Sequence, residues 1–489
     1  MIRAELQKLA HHSVIYGLAD VVPSLVNFLL LPVFTAFLSP SNYGALSILL
    51  LFSVLTKIFF RSGLDSGFFR IYYAQTNTLD RKILSTTLFV AALFISASLF
   101  LASAIFAKPL SLALLGNEFS ESPISTWIIL VALDTFLNTF AFIPMNLFRI
   151  QGRPRQFTQV TLFRNAINIG LKLFLIVSGF GVSGVLIADV VASFLFILIL
   201  SPTLFRNLTN HLSIEMLREA SSFGLPKIPH GLAHQLLNLS DRKLIEMFLT
   251  LSASGIYHIG VMMGTGVKVF LAAFELAWGP FVFSQVSTRT NSNPAQTIAR
   301  LATYAFAVLV AFGLMNAVFG RELLFFMAKP EFHSAHPVIP IAVLAYVIQG
   351  FFALTSIGIG ISKKTIYLPF ITLSAAILNI ALNFLFIQRF GLVGAAWATV
   401  AGYALMAAMG FYFGNKHYPI PFEWKRLLRI ILAASLAFAV SALAPDRWVL
   451  AIPAKIAATL LFPFALYAFG FFRSDEMIWL KSRLSLKHR

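Results

Sequence analysis

The chain has 489 residues, of which 58% are hydrophobic and 11% charged, with no cysteine and a formal net charge of +18. Soluble domains carry about 25% charged residues, so the composition excludes a water-soluble globular protein. The lack of Cys excludes disulfides and thiolate metal or redox chemistry.

Residues 1–12 are polar and weakly amphipathic, and a long apolar run follows. That run exceeds a signal-peptide core and has no small-residue cleavage site, so it is predicted to be a retained helix over about 13–38. A bilayer crossing takes about 20 apolar residues. Runs of that length recur at about 43–64, 82–107, 122–148, 156–178 and 181–202. A polar segment at 203–219 interrupts them, and further runs fall at about 220–241, 248–276, 298–319, 335–361, 365–387, 391–413, 427–444 and 450–472. They are about twice as long as a barrel strand, and only helices or closed barrels satisfy their backbone in hydrocarbon. The expected fold is an all-α polytopic membrane protein of about 14 transmembrane helices.

Lys and Arg concentrate on the side that holds the N-terminus, the even-numbered loops and the C-terminal tail, including Arg81, Lys82, Arg149, Arg153, Lys363 and Lys364. The opposite side has few, among them Lys108, Arg321 and Lys455. Cytoplasmic loops carry the Lys/Arg excess, which places both termini in the cytoplasm. Topology thus accounts for most of the positive charge, which is poor evidence for an anionic partner, and no nucleic-acid partner is expected.

An internal duplication is visible. Residues 37–59 lie without gaps on 248–270, an offset of 211 that matches Gly44 with Gly255, Lys57 with Lys268 and Phe59 with Phe270. The same shift pairs Asn27 with Asn238. FGVSGVLIADV (180–190) lies on FGLVGAAWATV (390–400) at an offset of 210. Six helices separate the copies, so they have one orientation, as parallel repeats about an axis along the membrane normal. The expected organisation is a six-helix lobe at 1–202, a connector at 203–219, a second six-helix lobe at 220–413, and two appended helices with a basic tail at 414–489.

Four motifs carry a resemblance to a known family: LLLPVFTAFLSPSNYGALS (29–47), GLDSGFFRIYY (63–73), RIQGRPRQF (149–157) and GLPKIPHGLAHQLLNLSDRKLI (224–245). Together they resemble the polysaccharide transporter family, the Wzx-type flippases of the multidrug/oligosaccharidyl-lipid/polysaccharide exporter superfamily. Phe34 stands where that family usually has Tyr, and Ala36 where it often has Arg. The resemblance implies a flippase, not an enzyme, that moves undecaprenyl-diphosphate-linked oligosaccharide across the bacterial inner membrane by alternating access. It implies a role in O-antigen, lipopolysaccharide or exopolysaccharide synthesis, with membrane lipid as surroundings and a polymerase or glycosyltransferase complex as partner. H+ or Na+ is the expected coupling ion, and no cofactor or structural metal is expected. The alternative is a multidrug or organic-cation antiporter on the same fold. No Walker phosphate loop is present, which argues against direct ATP hydrolysis.

Ionisable groups at bilayer depth cost about 2.5 kcal/mol or more, so each needs protein, water or a partner. Lys57, Arg61 and Asp65 are spaced i, i+4, i+8 along one helix face. Lys57 lies about 20 Å deep at 1.5 Å per residue, and its repeat mate Lys268 sits at matching depth, with Glu275 seven residues on. Two ammonium groups facing one cavity would suit a diphosphate or acidic sugar; the alternative is that both snorkel to the interface. Arg61 and Asp65 read better as an interfacial ion pair. Arg164, Asn168 and Lys172 form a second stripe, with Arg164 either capping the cytoplasmic end or joining Lys172 in the cavity. Asp241, Arg242 and Lys243 are consecutive, cannot share a face, and read as the outer end of a helix. Asp20, near Pro23 and Asn27, is the candidate coupling carboxylate, with Glu275 and Asp65 beside it; pairing with a neighbouring cation is the competing reading. Asp134 with Asn138, and Asp189, are weaker candidates of the same kind. The histidines, His258 among them, read as interfacial or solvated.

Overall fold

The computed structural model describes residues 22–23, 25–26, 28–61, 63–116, 119, 124–287, 293–445 and 447–473. The described residues form helices and no strands. In chain order the first half comprises α1 (Leu31–Phe37), α2 (Pro40–Arg61), α3 (Leu64–Ala74), α4 (Thr78–Ile105), α5 (Ala107–Leu115), α6 (Ile124–Leu137), α7 (Phe142–Ile150), α8 (Pro154–Val177) and α9 (Gly181–Arg206). A connecting helix α10 (Ile214–Gly224) leads to α11 (Ile228–Phe248), α12 (Leu251–Gly264), α13 (Gly266–Ser287), α14 (Pro294–Met327), α15 (Val338–Thr355) and α16 (Ile357–Ile361). The last are α17 (Tyr367–His417), α18 (Trp424–Ser441) and α19 (Trp448–Ala468). Among the described residues, nine helices are long and apolar enough to cross a membrane, or ten if the bent pair α12–α13 is one span. The chain is a polytopic, all-α membrane protein.

Several expected spans change shape for identifiable reasons. The span expected at 220–241 is displaced towards the C-terminus, because α10 and a 3-10 turn at Leu225–Lys227 occupy its beginning. Asp241, Arg242 and Lys243 consequently lie inside α11 rather than at its outer end. The span expected at 248–276 is two helices bent by 48° at Thr265. The spans expected at 365–387 and 391–413 run together as α17, broken at Gly391 (φ 59°, ψ −136°). Lys455, expected in an outer loop, lies within α19, where its Nζ donates to Glu322 Oε1 at 2.6 Å and to the Val318 carbonyl at 3.0 Å.

Positions related by the offset of 210–211 share backbone features. Gly181 (φ 53°), which opens α9, and Gly391 (φ 59°), at the break in α17, lie 210 positions apart and both take a positive-φ conformation. Side chains rarely adopt that conformation, so glycine is required at both turns. The helices α2 and α12 cross at their repeat-matched glycines. A Cβ on Gly44 would lie 1.9 Å from the Leu251 carbonyl oxygen, and one on Gly255 would lie 2.0 Å from that of Pro40. A shift of 211 converts one contact into the other. It also converts the Ser47–Ser254 hydroxyl pair, 3.3 Å apart, into the Tyr43–His258 ring pair, 6.2 Å apart. This is the reciprocal pattern of a two-fold interface, here within one chain. In lipid, helices gain little from hydrophobic burial against one another, and small residues that allow close backbone approach do the packing.

The connector docks on the first half. The backbone N–H groups of Thr209 and Ser213 donate to Thr86 Oγ1 (2.8 Å) and Thr87 Oγ1 (3.0 Å) on α4. Helix α10 then lies on α3 through a second small-residue crossing, Gly63 and Gly67 against Gly224 and Ala220. At the far end of the chain, α18 and α19 are fastened to α14 by Arg426, which donates to Glu423 Oε2 and to Tyr304 Oη, each at 2.9 Å. The same guanidinium stacks over the Phe471 ring, 4.4 Å from its centroid.

Candidate functional site

The elbow at Gly63 divides the first charged stripe. Lys57 and Arg61 belong to α2, and Asp65 opens α3 after Gly63 (φ 72°). Arg61 Nη1 lies 3.6 Å from Asp65 Oδ2 across the elbow, and Asn146 Nδ2 donates to Asp65 Oδ1 at 2.9 Å. The ion-pair reading of these two residues agrees with that geometry, and neither lines the cavity described next.

A cavity of about 370 Å³ opens between α2, α6, α8, α9 and α12. Its apolar walls come mainly from the leucines of α2, and its polar lining includes Lys57, Arg164, Lys172, Asp134, Asp189 and His258. The i, i+4, i+8 stripe of α8 brings Arg164, Asn168 and Lys172 onto one line, and α9 presents Asp189 and Ser193 four residues apart to meet it. Lys172 Nζ is 2.8 Å from Asp189 Oδ1, which also accepts from Asn168 Nδ2 at 2.8 Å. Arg164 Nη2 donates to Ser193 Oγ at 2.8 Å and lies 3.9 Å from Asp134 Oδ1, with its guanidinium over the Phe196 ring. Arg164 therefore belongs to the cavity lining. Lys57 Nζ reaches the other oxygen of the same carboxylate, 3.5 Å from Asp134 Oδ2. Ser193 Oγ donates to Asp134 Oδ1 at 2.5 Å, and Asn138 Nδ2 donates there at 3.0 Å. Three cations thus face two carboxylates, leaving an excess of one positive charge in a half-enclosed space. Such a site favours anions, because fixed charges act more strongly where water is partly excluded.

Lys268 does not share this cavity. Its ammonium turns into the second half, donating to Asn238 Oδ1 at 3.1 Å and lying 4.3 Å from the Tyr346 ring centroid. Asn238 Oδ1 also accepts from Tyr403 Oη at 2.7 Å. Nearby, Asp241 accepts from Tyr257 Oη at 2.5 Å and from the Arg242 backbone N–H at 3.0 Å. The expectation that two matched amines project into one chamber is corrected by this placement. Glu275 is exposed on α13, with no ion-pair partner among the described residues. Asp20 and Asn27 lie outside the described residues.

Residues 33–312 match the family model described as polysaccharide biosynthesis protein. The chain belongs to the polysaccharide biosynthesis protein family. Two curated relatives are recognisable. One is an uncharacterized membrane protein of Methanocaldococcus jannaschii, 25% identical over 230 residues, covering 45% of this chain and 44% of that protein. The chain thus spans less than half the length of that relative. The other is a probable low-salt glycan biosynthesis flippase of Haloferax volcanii, 22% identical over 345 residues, covering 67% of this chain and 71% of that protein. Among solved structures, the fold is similar to the lipid II flippase MurJ in an inward closed conformation, with TM-score 0.72, 14% identity, and 93% of this chain and 99% of that one covered. It is also similar to an inward-facing multidrug resistance transporter of the MATE family, with TM-score 0.63, 16% identity, and 86% and 96% coverage. At these identities the two structures establish the shared fold of this family member.

Sequence reasoning underrated three parts of this family member's polar interior. Asp134 and Asp189 are the counter-ions of the cavity cations, Asp189 on the helix that follows Lys172 and Asp134 on a helix distant in the chain from Lys57. His258, read as interfacial or solvated, is packed between Tyr43 and Arg242; Arg242 Nε donates to its Nδ1 at 3.1 Å. The second polar cluster, around Asn238 and Asp241, adjoins the fully buried Asn379 and Asn383, where Asn383 Nδ2 donates to Asn379 Oδ1 at 3.1 Å. Two asparagines four residues apart in an apolar run were the available signal for that cluster.

Proposed function

We propose that this protein is a flippase that carries an undecaprenyl-diphosphate-linked oligosaccharide across the bacterial inner membrane by alternating access. The single observation that carries the reading is the cavity with three cations against two carboxylates. Lys57 and Arg164 would receive the diphosphate or an acidic sugar, with Lys172 beside them in the cavity wall, while the prenyl chain stays in lipid. A multiply charged, hydroxyl-rich headgroup is strongly excluded from hydrocarbon, so a wet, positively charged chamber is the physical service such a carrier offers. The similarity to a probable glycan biosynthesis flippase supports the same reading. In this account residues 1–202 and 220–413 are the two lobes that rock about the cavity, 203–219 is the connector, and both termini are cytoplasmic. The product would feed a surface polysaccharide such as O-antigen or exopolysaccharide, with a polymerase or glycosyltransferase acting downstream. Coupling to H+ or Na+ through Asp20 or Glu275 belongs to the same proposal, whereas Asp65 is engaged by Arg61 and Asn146.

A second reading, an organic-cation antiporter, is favoured by the similarity to the MATE transporter fold and by exposed Glu275. The positive excess of the cavity opposes it. A cell lacking the gene separates the two. Lipid-linked sugar accumulating on the cytoplasmic leaflet is expected from the flippase, and drug sensitivity with normal surface glycan would favour the antiporter.

A further inference from the structure

We propose that Asp134 is the resting counter-ion of a two-cation clamp: it neutralises Lys57 and Arg164 when the cavity is empty and yields them to the anionic headgroup when it binds. The inference rests on the reading of the cavity as a diphosphate site.

The geometry has a front and a back. The Asp134 side chain is 10% exposed, whereas those of Lys57 and Arg164 are 42% and 28% exposed, so a ligand entering the cavity meets the cations before the carboxylate. Asp134 does not depend on them for its position, since the Ser193 hydroxyl and the Asn138 amide both donate to its Oδ1. The cations stand off from its oxygens, Lys57 at 3.5 Å and Arg164 at 3.9 Å, the latter resting on the Ser193 hydroxyl at 2.8 Å. The neighbouring pair differs. Lys172 sits 2.8 Å from Asp189 and is only 18% exposed, with Asn168 bracing the same oxygen. Two cations are therefore positioned to change partner, and the third is locked.

A carrier needs such a counter-ion for a physical reason. After release, the empty cavity must pass through an occluded arrangement, and unpaired cations in a low-dielectric enclosure are strongly unfavourable. A fixed carboxylate behind them lowers the barrier for the empty form. It also competes with the ligand, so its removal should tighten binding and slow the cycle. Asp134→Asn retains an acceptor for Ser193 and Asn138 while deleting the charge.

The test uses the purified full chain and inorganic pyrophosphate as probe, titrated calorimetrically. The expected result for Asp134→Asn is about tenfold tighter binding, equivalent to about 1.4 kcal/mol. Adding Lys57→Gln to that variant should remove most of the gain, as coupled neighbours require. In vesicles loaded with a dye-labelled prenyl-diphosphate glycan, KM and kcat for flipping should both fall. Unchanged or weaker pyrophosphate binding by a monodisperse Asp134→Asn variant, or an undiminished kcat, would overturn the counter-ion role alone. A wild-type chain that binds no pyrophosphate would instead overturn the diphosphate reading of the cavity.

Discussion

The crossing of α2 and α12 offers a sharp perturbation, Gly44→Ala. The added Cβ would sit 1.9 Å from the Leu251 carbonyl oxygen. An ordinary carbon–oxygen contact is about 3.3 Å, so the helices must separate there by about 1.4 Å, because the obstacle is backbone rather than a movable side-chain tip. Overpacking of this kind costs about 1–3 kcal/mol, which corresponds to a shift of about 5- to 150-fold against the closed crossing. The chain contains no cysteine, so Ser47→Cys with Ser254→Cys provides a clean reporter where the two hydroxyls stand 3.3 Å apart. Oxidative cross-linking of that pair should be fast with Gly44 in place and at least fivefold slower with Gly44→Ala. Gly255→Ala should reproduce the effect through the Pro40 carbonyl. Equal cross-linking rates in all three backgrounds would refute the argument that this crossing closes on bare backbone.

Other outcomes follow from the same geometry. Lys268→Ala should leave pyrophosphate affinity within about twofold of wild type while lowering thermal stability, because its ammonium serves Asn238 and Tyr346 rather than the cavity; titration of the purified variant checks this. Arg426→Ala leaves Glu423 with Arg473 as its remaining guanidinium partner and should destabilise the docking of α18 and α19 by about 1.5–3 kcal/mol, read as a lowered unfolding midpoint in detergent. Gly224→Val puts a side chain against the Gly63 carbonyl, where a Cβ alone would approach to 2.3 Å. It should release α10 from α3 and speed proteolysis within 207–213 several-fold.

The sequence disclosed the fold because its main signal, runs of apolar residues about as long as a bilayer is thick, is local. The duplication was readable from glycines, since Gly44, Gly255, Gly181 and Gly391 answer to backbone geometry rather than to the carried molecule. Helix-face stripes were readable too: α8 does present Arg164 and Lys172 together. What could not be read was which carboxylate Lys57 and Arg164 share, because Asp134 reaches both from α6. The equivalence of Lys57 and Lys268 failed for a structural reason. Helix α2 runs unbroken through Lys57, whereas the matching stretch bends by 48° at Thr265 and carries Lys268 away from the crossing. Equal depth in two repeats did not ensure equal direction. The shift of the helix now spanning Ile228–Phe248 has a similar origin, since Gly63 and Gly224 tie down the connector and fix where that helix begins.

The central claim is that Lys57 and Arg164 receive an anionic headgroup in the cavity that α2, α6, α8 and α9 form with α12. Flipping of a dye-labelled prenyl-diphosphate glycan by the reconstituted protein tests it most directly, scored by accessibility of the dye to an external quencher. The wild-type chain is expected to translocate the lipid, and Lys57→Gln with Arg164→Gln to lose at least tenfold in rate while inserting and folding normally. Translocation by that double variant at the wild-type rate would contradict the account.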